Sequence, residues 1–243
     1  MDTVKTEVGL ARVGLIVGAA VVLPLALLVA VYLLFFTNDS PDELSISTPS
    51  QTTAPGAAPA DASSLAGTWN VAPGSVAGAR VREKLASLPA QSDAVGRTEA
   101  VTGSVVIGGT GAKLTADSVN VQVDVTKLAS NETRRDNRIR TDGLQTATFT
   151  TASFVSTGPV ALPATVADGA VAKVDVPGKL TIHGVTKDVT IPVDVRLNGS
   201  QGEAVGSLKF PFSDYGMTAP SVGGFVTVEP EGTLEFKVLL ART

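Results

Sequence analysis

Lys179-Leu180-Thr181-Ile182-His183-Gly184-Val185-Thr186-Lys187-Asp188-Val189-Thr190-Ile191-Pro192-Val193 is the stretch whose reading decides the fold class. Leu180 and Ile182 alternate with polar neighbours up to His183-Gly184, and Val189, Ile191, Val193, Val195 and Leu197 share one phase beyond it. Thr190, Pro192, Asp194 and Arg196 hold the other phase. Period two with one apolar and one polar side is the pattern of antiparallel strands that have one dry and one wet face. The glycine-containing turn makes the stretch a β-hairpin over roughly 179–198, and it carries the only histidine of the chain.

Working outward, the same alternation recurs. Short strands are expected at Gly67–Val71, 75–85, 99–107, 113–125, 146–155, 170–176, 202–212, 225–229 and 233–241. Pro177-Gly178 is expected as a turn, Phe154 as a bulge site, and Gly206-Ser207 as a bulge, because the apolar phase changes from Val205 to Leu208, Phe210 and Phe212. The charged run Asn131–Arg140 predicts one to three helical turns capped by Asn131 or Thr133. Closing such a meander into an eight-stranded antiparallel barrel would remove the exposed edges that invite pairing with other chains. The expected fold is therefore all-β, an antiparallel barrel of eight strands over 67–243 with a short helical insertion.

Composition narrows the chemistry. There is no cysteine, which excludes disulfides, thiolate catalysis and cysteine-held zinc or iron–sulfur centres. One histidine cannot make a two-histidine metal site, and no cofactor is expected. Of 19 Lys+Arg and 23 Asp+Glu, two basic and six acidic residues precede Gly67, so the chain from there on is neutral. A neutral domain offers no electrostatic reason for nucleic-acid binding.

The first 66 residues read differently. Residues 13–36 are uncharged and almost wholly apolar, and a helix of that length would span about 36 Å, enough for a bilayer core. Lys5 and Arg12 before it, against Asp39, Asp42 and Glu43 after it, place residues 1–12 in the cytoplasm and the remainder outside. The apolar run is longer than a cleaved signal region and ends in Leu33-Leu34-Phe35-Phe36-Thr37-Asn38, a poor peptidase site, which favours an uncleaved signal-anchor. Residues 37–66, rich in Ser, Thr, Ala and Pro, read as a disordered tether. The expectation is a single-pass protein of the cytoplasmic membrane with an extracytoplasmic barrel.

Several pieces, in order, carry a resemblance: Trp69 with Gly74–Glu83, Val101-Thr102-Gly103-Ser104, Arg134-Arg135-Asp136, Ala147-Thr148-Phe149-Thr150, Gly178–Lys187, Phe212-Ser213-Asp214-Tyr215-Gly216 and Gly232-Thr233-Leu234-Glu235-Phe236. Over 67–243 the chain resembles the YceI-like family of secreted or periplasmic lipocalin-like barrels. The resemblance implies a polyisoprenoid or other long lipid-like ligand in an apolar interior. Residues 1–66 lie outside it. The candidate ligand-binding residues are Trp69, Phe149, Phe154, Phe210, Phe212 and Tyr215, and the candidate contacts for an anionic headgroup are Arg134, Arg135 and Arg138. The expected function is a membrane-tethered lipid-binding barrel, with the membrane as partner through residues 13–36. The alternative is a non-catalytic structural or interaction module of the envelope. An enzyme is a remote third reading: His183, Ser213 and Asp214 supply the residue types of a triad, but no Gly-x-Ser-x-Gly elbow surrounds a serine.

Overall fold

Alternation dictates that each strand turns one face inward, and the ladders show how those faces close on themselves. The computed structural model describes residues 40–47, 65–85, 91–111, 113–219, 221–222 and 226–243. Its strands are β1 (Gly67–Val71), β2 (Val76–Leu85), β3 (Gln91–Thr98), β4 (Val101–Thr110), β5 (Lys113–Asp124), β6 (Thr151–Ser156), β7 (Val160–Leu162), β8 (Ala172–Ile182), β9 (Val185–Asn198), β10 (Gln201–Pro211), β11 (Ser221–Val222) and β12 (Val226–Arg242). β1 and β2 pair with successive stretches of β12, Trp69 opposite Arg242 and Val76 opposite Lys237, so together they make one stave. β3 and β4 make the next, and β6 and β7 both lie along β5. The result is eight antiparallel staves in chain order, closed where β12 meets β1. The expected eight-stranded barrel is correct.

The hairpin at 179–193 is tighter than its sequence announced. Ile182 pairs with Val185, leaving a two-residue loop in which His183 (φ 52) and Gly184 (φ 74) are both left-handed. That is the turn whose twist matches two antiparallel strands, and histidine is among the few side chains that enter this region readily. Behind it, β8 is continuous through Pro177-Gly178, where a turn was expected.

Other expectations need correction. The strand expected from Thr146 starts at Thr151, and the β5–β6 register runs without a shift through Phe154, so there is no bulge there. The expected pair of closing strands is one long β12, with a register shift between Val228 and Gly232. α1 (Thr133–Arg138) is capped by Glu132, whose carboxylate accepts from the Arg134 amide at 2.8 Å, and a π-type turn follows at Ile139–Gly143.

No helix among the described residues is long and apolar enough to cross a membrane. The segment 13–36, on which the spanning helix was expected, lies outside the described residues, as does the tail 1–12. The single-pass anchor, the topology built on it and the membrane as partner are therefore not upheld.

Part of the stretch expected as a tether has a definite place. Ser40–Ser47 crosses the outer wall of the barrel as an extended strap, with Leu44 and Ile46 half-buried between exposed neighbours. Ser40 Oγ donates to Asp93 O (2.7 Å), Arg80 Nη2 to Pro41 O (2.6 Å) and Arg97 Nη2 to Asp42 O. Lys237 Nζ donates to Ser45 O (3.2 Å) and Ser47 Oγ (2.7 Å). The strap explains the phase change in β10. The register against β12 runs through Gly206-Ser207 without a shift, and that against β9 runs without a shift until pairing ends at Gly206, so no bulge lies there. Val205 instead points outward, beside Leu44, and is buried there.

Beneath the strap lie two buried carboxylates. Glu235 accepts from Arg97 Nε and Nη2 at 2.9 and 2.8 Å, with Arg80 Nη2 at 3.6 Å. Glu203 accepts from Arg196 (2.7 Å), Lys237 (3.1 Å) and both the amide and hydroxyl of Ser47 (2.8 and 2.9 Å). Burial alone would raise the Glu203 pKa, but the Ser47 amide, Lys237 and the Ser47 hydroxyl outweigh it and hold the carboxyl below its ordinary 4.5. A depressed carboxyl pKa adds stability that is complete above the ordinary value and fades as pH falls through the lowered one. The strap is therefore expected to stay docked at neutral pH and to release on strong acidification, followed through the Ser47 amide resonance. Glu203→Ala, which leaves two half-buried cations and the Ser47 amide without their acceptor, is expected to cost about 1–3 kcal/mol in chemical denaturation.

Candidate ligand cavity in the barrel

The inward phase of the strands is built from small and branched aliphatic residues, and it does not fill the barrel. A cavity of about 140 Å³ remains inside. Its wall comes from every part of the meander: Val105 and Ile107 of β4; Ala116, Val119, Val121 and Val123 of β5; Ala152, Ser153 and Phe154 of β6; and Val160 and Leu162 of β7. Val174, Val176 and Leu180 of β8 face Ile191, Val193, Val195 and Leu197 of β9, with Ala204 of β10 and Leu234, Phe236, Val238 and Leu240 of β12 completing the ring. Ser153 is the one polar residue among these. Alanines and valines leave the room because barrels of eight strands have interiors that larger side chains would just fill. A second cavity of about 200 Å³, under the strap, is lined by Arg80, Lys173, Asp194 and Glu235 among others and is polar by contrast.

The two ends of the barrel are closed by different clusters. At one end Trp69, Leu65 and Val166 are essentially without solvent exposure, and the Trp69 indole N–H donates to Leu65 O at 2.9 Å. At the other end Leu180, Ile182, Phe210 and Tyr215 form a second core. Phe210 meets Tyr215 and Phe212 edge-on, at 5.7 and 5.8 Å between ring centroids. Burial first, and the Asp214 charge second, push the Tyr215 phenol above its ordinary pKa, so it stays neutral.

The candidate aromatic residues are thus dispersed. Phe154 alone of the six lines the cavity. Trp69 packs at one end, while Phe210, Phe212 and Tyr215 pack at the other. Phe149 packs against His183 with ring centroids 4.4 Å apart and planes tilted by 59°, and it covers the hairpin turn, where a Cβ on Gly184 would come within 2.5 Å of its ring. The aliphatic lining was legible only as the inward phase of each strand, because no single valine differs in chemistry from a packed core valine.

The three arginines divide between a paired and an exposed position. Arg135 pairs with Glu83 at 3.3 Å and donates to Asn131 at 2.9 Å, while Arg134 and Arg138 project from α1 as exposed side chains. His183 Nδ1 faces the Tyr215 carbonyl at 3.1 Å, so this nitrogen carries the proton. Its Nε2 is buried without a hydrogen-bond partner among the described residues. Ser213 and Asp214 are exposed, and no hydrogen bond among the described residues links them to His183. No group of three or more His, Cys, Asp or Glu residues able to hold a metal occurs among the described residues.

A family profile described as the YceI-like domain matches residues 69–240. The chain is 32% identical over 123 residues to a UPF0312 protein of Vibrio vulnificus, covering 48% of this chain and 61% of that protein. It is 34% identical over 122 residues to a UPF0312 protein of Vibrio parahaemolyticus, covering 47% and 61%. It thus matches about 61% of the length of these curated relatives. Among solved structures, a polyisoprenoid binding domain from Saccharophagus degradans, implicated in plant cell wall breakdown, superposes with a TM-score of 0.55. That match has 16% identity and covers 72% of this chain and 98% of the other, a likeness of fold.

Proposed function

Because this chain belongs to the YceI-like family, we propose that its barrel binds an apolar molecule of the lipid or isoprenoid class in its interior. The chain is not an enzyme, in keeping with that membership and with a histidine turned toward a backbone carbonyl rather than toward a nucleophile. The observation that carries the proposal is the cavity: about 140 Å³ of space walled by aliphatic and aromatic side chains, with Ser153 the single polar lining residue. Such a space gains by exchanging emptiness for apolar atoms, since lining groups without contacts forfeit dispersion energy. It has no charged side chain to hold a headgroup, so selection rests on apolar shape. The polyisoprenoid-binding domain of similar fold supports the ligand class.

The resting volume bears on ligand size. A cavity of roughly 150 Å³ takes up benzene, so a long isoprenoid needs the barrel to widen or a lining side chain to move. That limit favours the second reading, a non-catalytic interaction module with an idle interior, should the barrel prove unable to widen. Titrating the full chain with a neutral polyprenol distinguishes the two. Saturable binding at one molecule per chain, insensitive to salt, is expected; no saturable uptake would leave the module reading.

A further inference from the structure

The staves are not joined with equal strength. β8 pairs with β9 along the whole of Ala172–Ile182, but with β6 only from Gly178 to Thr181. Beyond that, the Thr157 amide donates to Pro177 O at 3.1 Å, and β7 pairs with β5 alone. Backbone groups alternate in direction along an antiparallel strand, so those of Lys173, Asp175 and Pro177 face β7. Proline has no N–H to give and is tolerated in a strand where that side has no ladder partner. Among the described residues no ladder joins Val160–Leu162 to Ala172–Val176.

This gap reaches the ligand space. Val160 and Leu162 on one side and Val174 and Val176 on the other all line the cavity. At the gap's upper end the Phe154 ring lies over Gly178, where an added Cβ would come within 2.2 Å of it. Only a residue without a side chain lets the ring rest there. A second interruption, between residues 185–192 of β9 and 207–211 of β10, is different. Phe210 and Tyr215 fill it as buried side chains, and of the residues beside it Ile191 lines the cavity while Val189, Leu208 and Phe210 do not.

We propose that apolar ligands enter and leave sideways, through the seam between β7 and β8, with the Phe154 ring over Gly178 as the gate. Opening this seam breaks the Thr157–Pro177 backbone bond, frays the adjoining Gly178–Lys179 end of the β6–β8 ladder and parts apolar side chains. Entry at either end must displace Trp69 with its indole hydrogen bond or the Phe210–Tyr215 cluster. The inference rests on the apolar-ligand reading and assigns its route.

The test uses the full chain, which has no cysteine of its own. Val155 and Lys179 are directly opposite, exposed partners of the β6–β8 ladder, and opposite Cα atoms lie about 4.5–5.5 Å apart, within disulfide reach. A Val155→Cys/Lys179→Cys pair locks the upper end of the seam when oxidised. A Lys179→Cys/Asp188→Cys pair locks the neighbouring β8–β9 ladder instead. Diphenylhexatriene, a neutral rod-shaped hydrocarbon that fluoresces in apolar surroundings, is the probe in stopped-flow uptake and release. Oxidising the first pair is expected to slow both at least tenfold, with recovery on reduction, while the second pair leaves them unchanged. Phe154→Ala is expected to speed exchange. Equal rates for oxidised and reduced Val155→Cys/Lys179→Cys, or equal slowing by both locks, would overturn the lateral route. Failure of the unsubstituted chain to take up any probe would overturn the apolar-ligand reading, and the route with it.

Discussion

Trp69→Ala is expected to lower the stability of the barrel by about 4 kcal/mol, a loss of about 10 °C in Tm for a unit of this size, read by thermal circular dichroism. The side chain is fully buried. Its ring lies against Gly202, where a Cβ would stand 3.5 Å from it and 2.9 Å from Leu197. Its indole N–H is the donor to Leu65 O, so alanine leaves that buried carbonyl unpartnered as well as a cavity behind it. The site has little room to collapse, because Trp69 spans the junction at which β1 pairs with both β4 and β12 and closes the ring. Trp69→Phe, which keeps most of the volume and loses the hydrogen bond, is expected to cost about 1–3 kcal/mol. Equal losses for the two variants would place the importance of Trp69 in its hydrogen bond rather than in its packing.

Ala204→Leu is expected to act in the opposite sense on stability and to affect binding most. Ala204 faces the cavity from β10, between Val193 and Val195 of β9 and Val238 of β12. Enlarging a residue in a packed core usually costs about 1–3 kcal/mol in strain, but here the added carbons have empty apolar space to enter. The variant is expected to melt at or above the parent temperature while its affinity for a neutral polyprenol falls at least tenfold. Retained affinity at unchanged stability would move the ligand site out of the barrel. A changed fold would show in the far-ultraviolet spectrum, which is the control.

The parts of this architecture that were legible in the sequence are those whose two faces meet different solvents. Lys179–Val193, Leu234–Leu240 and Val119–Val125 alternate cleanly because one side is dry and the other wet. β3 escaped notice: in Gln91–Thr98 the adjacent Ala94 and Val95 are both buried, since the face carrying Asp93, Val95 and Arg97 is also the one the strap crosses. The same cover buries Val205, Glu203 and Glu235 on the outer wall, and it produced the false bulge at Gly206-Ser207. A strap contributed from 53 to 192 residues away leaves no local signal. Pro177-Gly178 misled for a related reason. Read locally they spell a turn, but they sit in a continuous strand because the seam beside them needs neither an amide hydrogen nor a side chain.

The candidate site was legible in kind but not in membership. Aromatic residues stand out in a chain with 5% of them, and they were the natural candidates for apolar contact, yet five of the six pack at the ends of the barrel or over its turn. The cavity exists because alanines and valines leave space, and space has no letter in a sequence. Of the arginines, Arg134 and Arg138 stand one helical turn apart on an exposed face, whereas Arg135 is held by Glu83, a pairing partner that the local sequence does not reveal.

The most direct test of the central claim, that the barrel interior is an apolar ligand site, is native mass spectrometry of the full chain purified without detergent. The account predicts a population carrying one bound apolar molecule per chain, released on denaturation and absent from Ala204→Leu. A chain of bare mass in every preparation, unchanged by adding a neutral polyprenol, would contradict it.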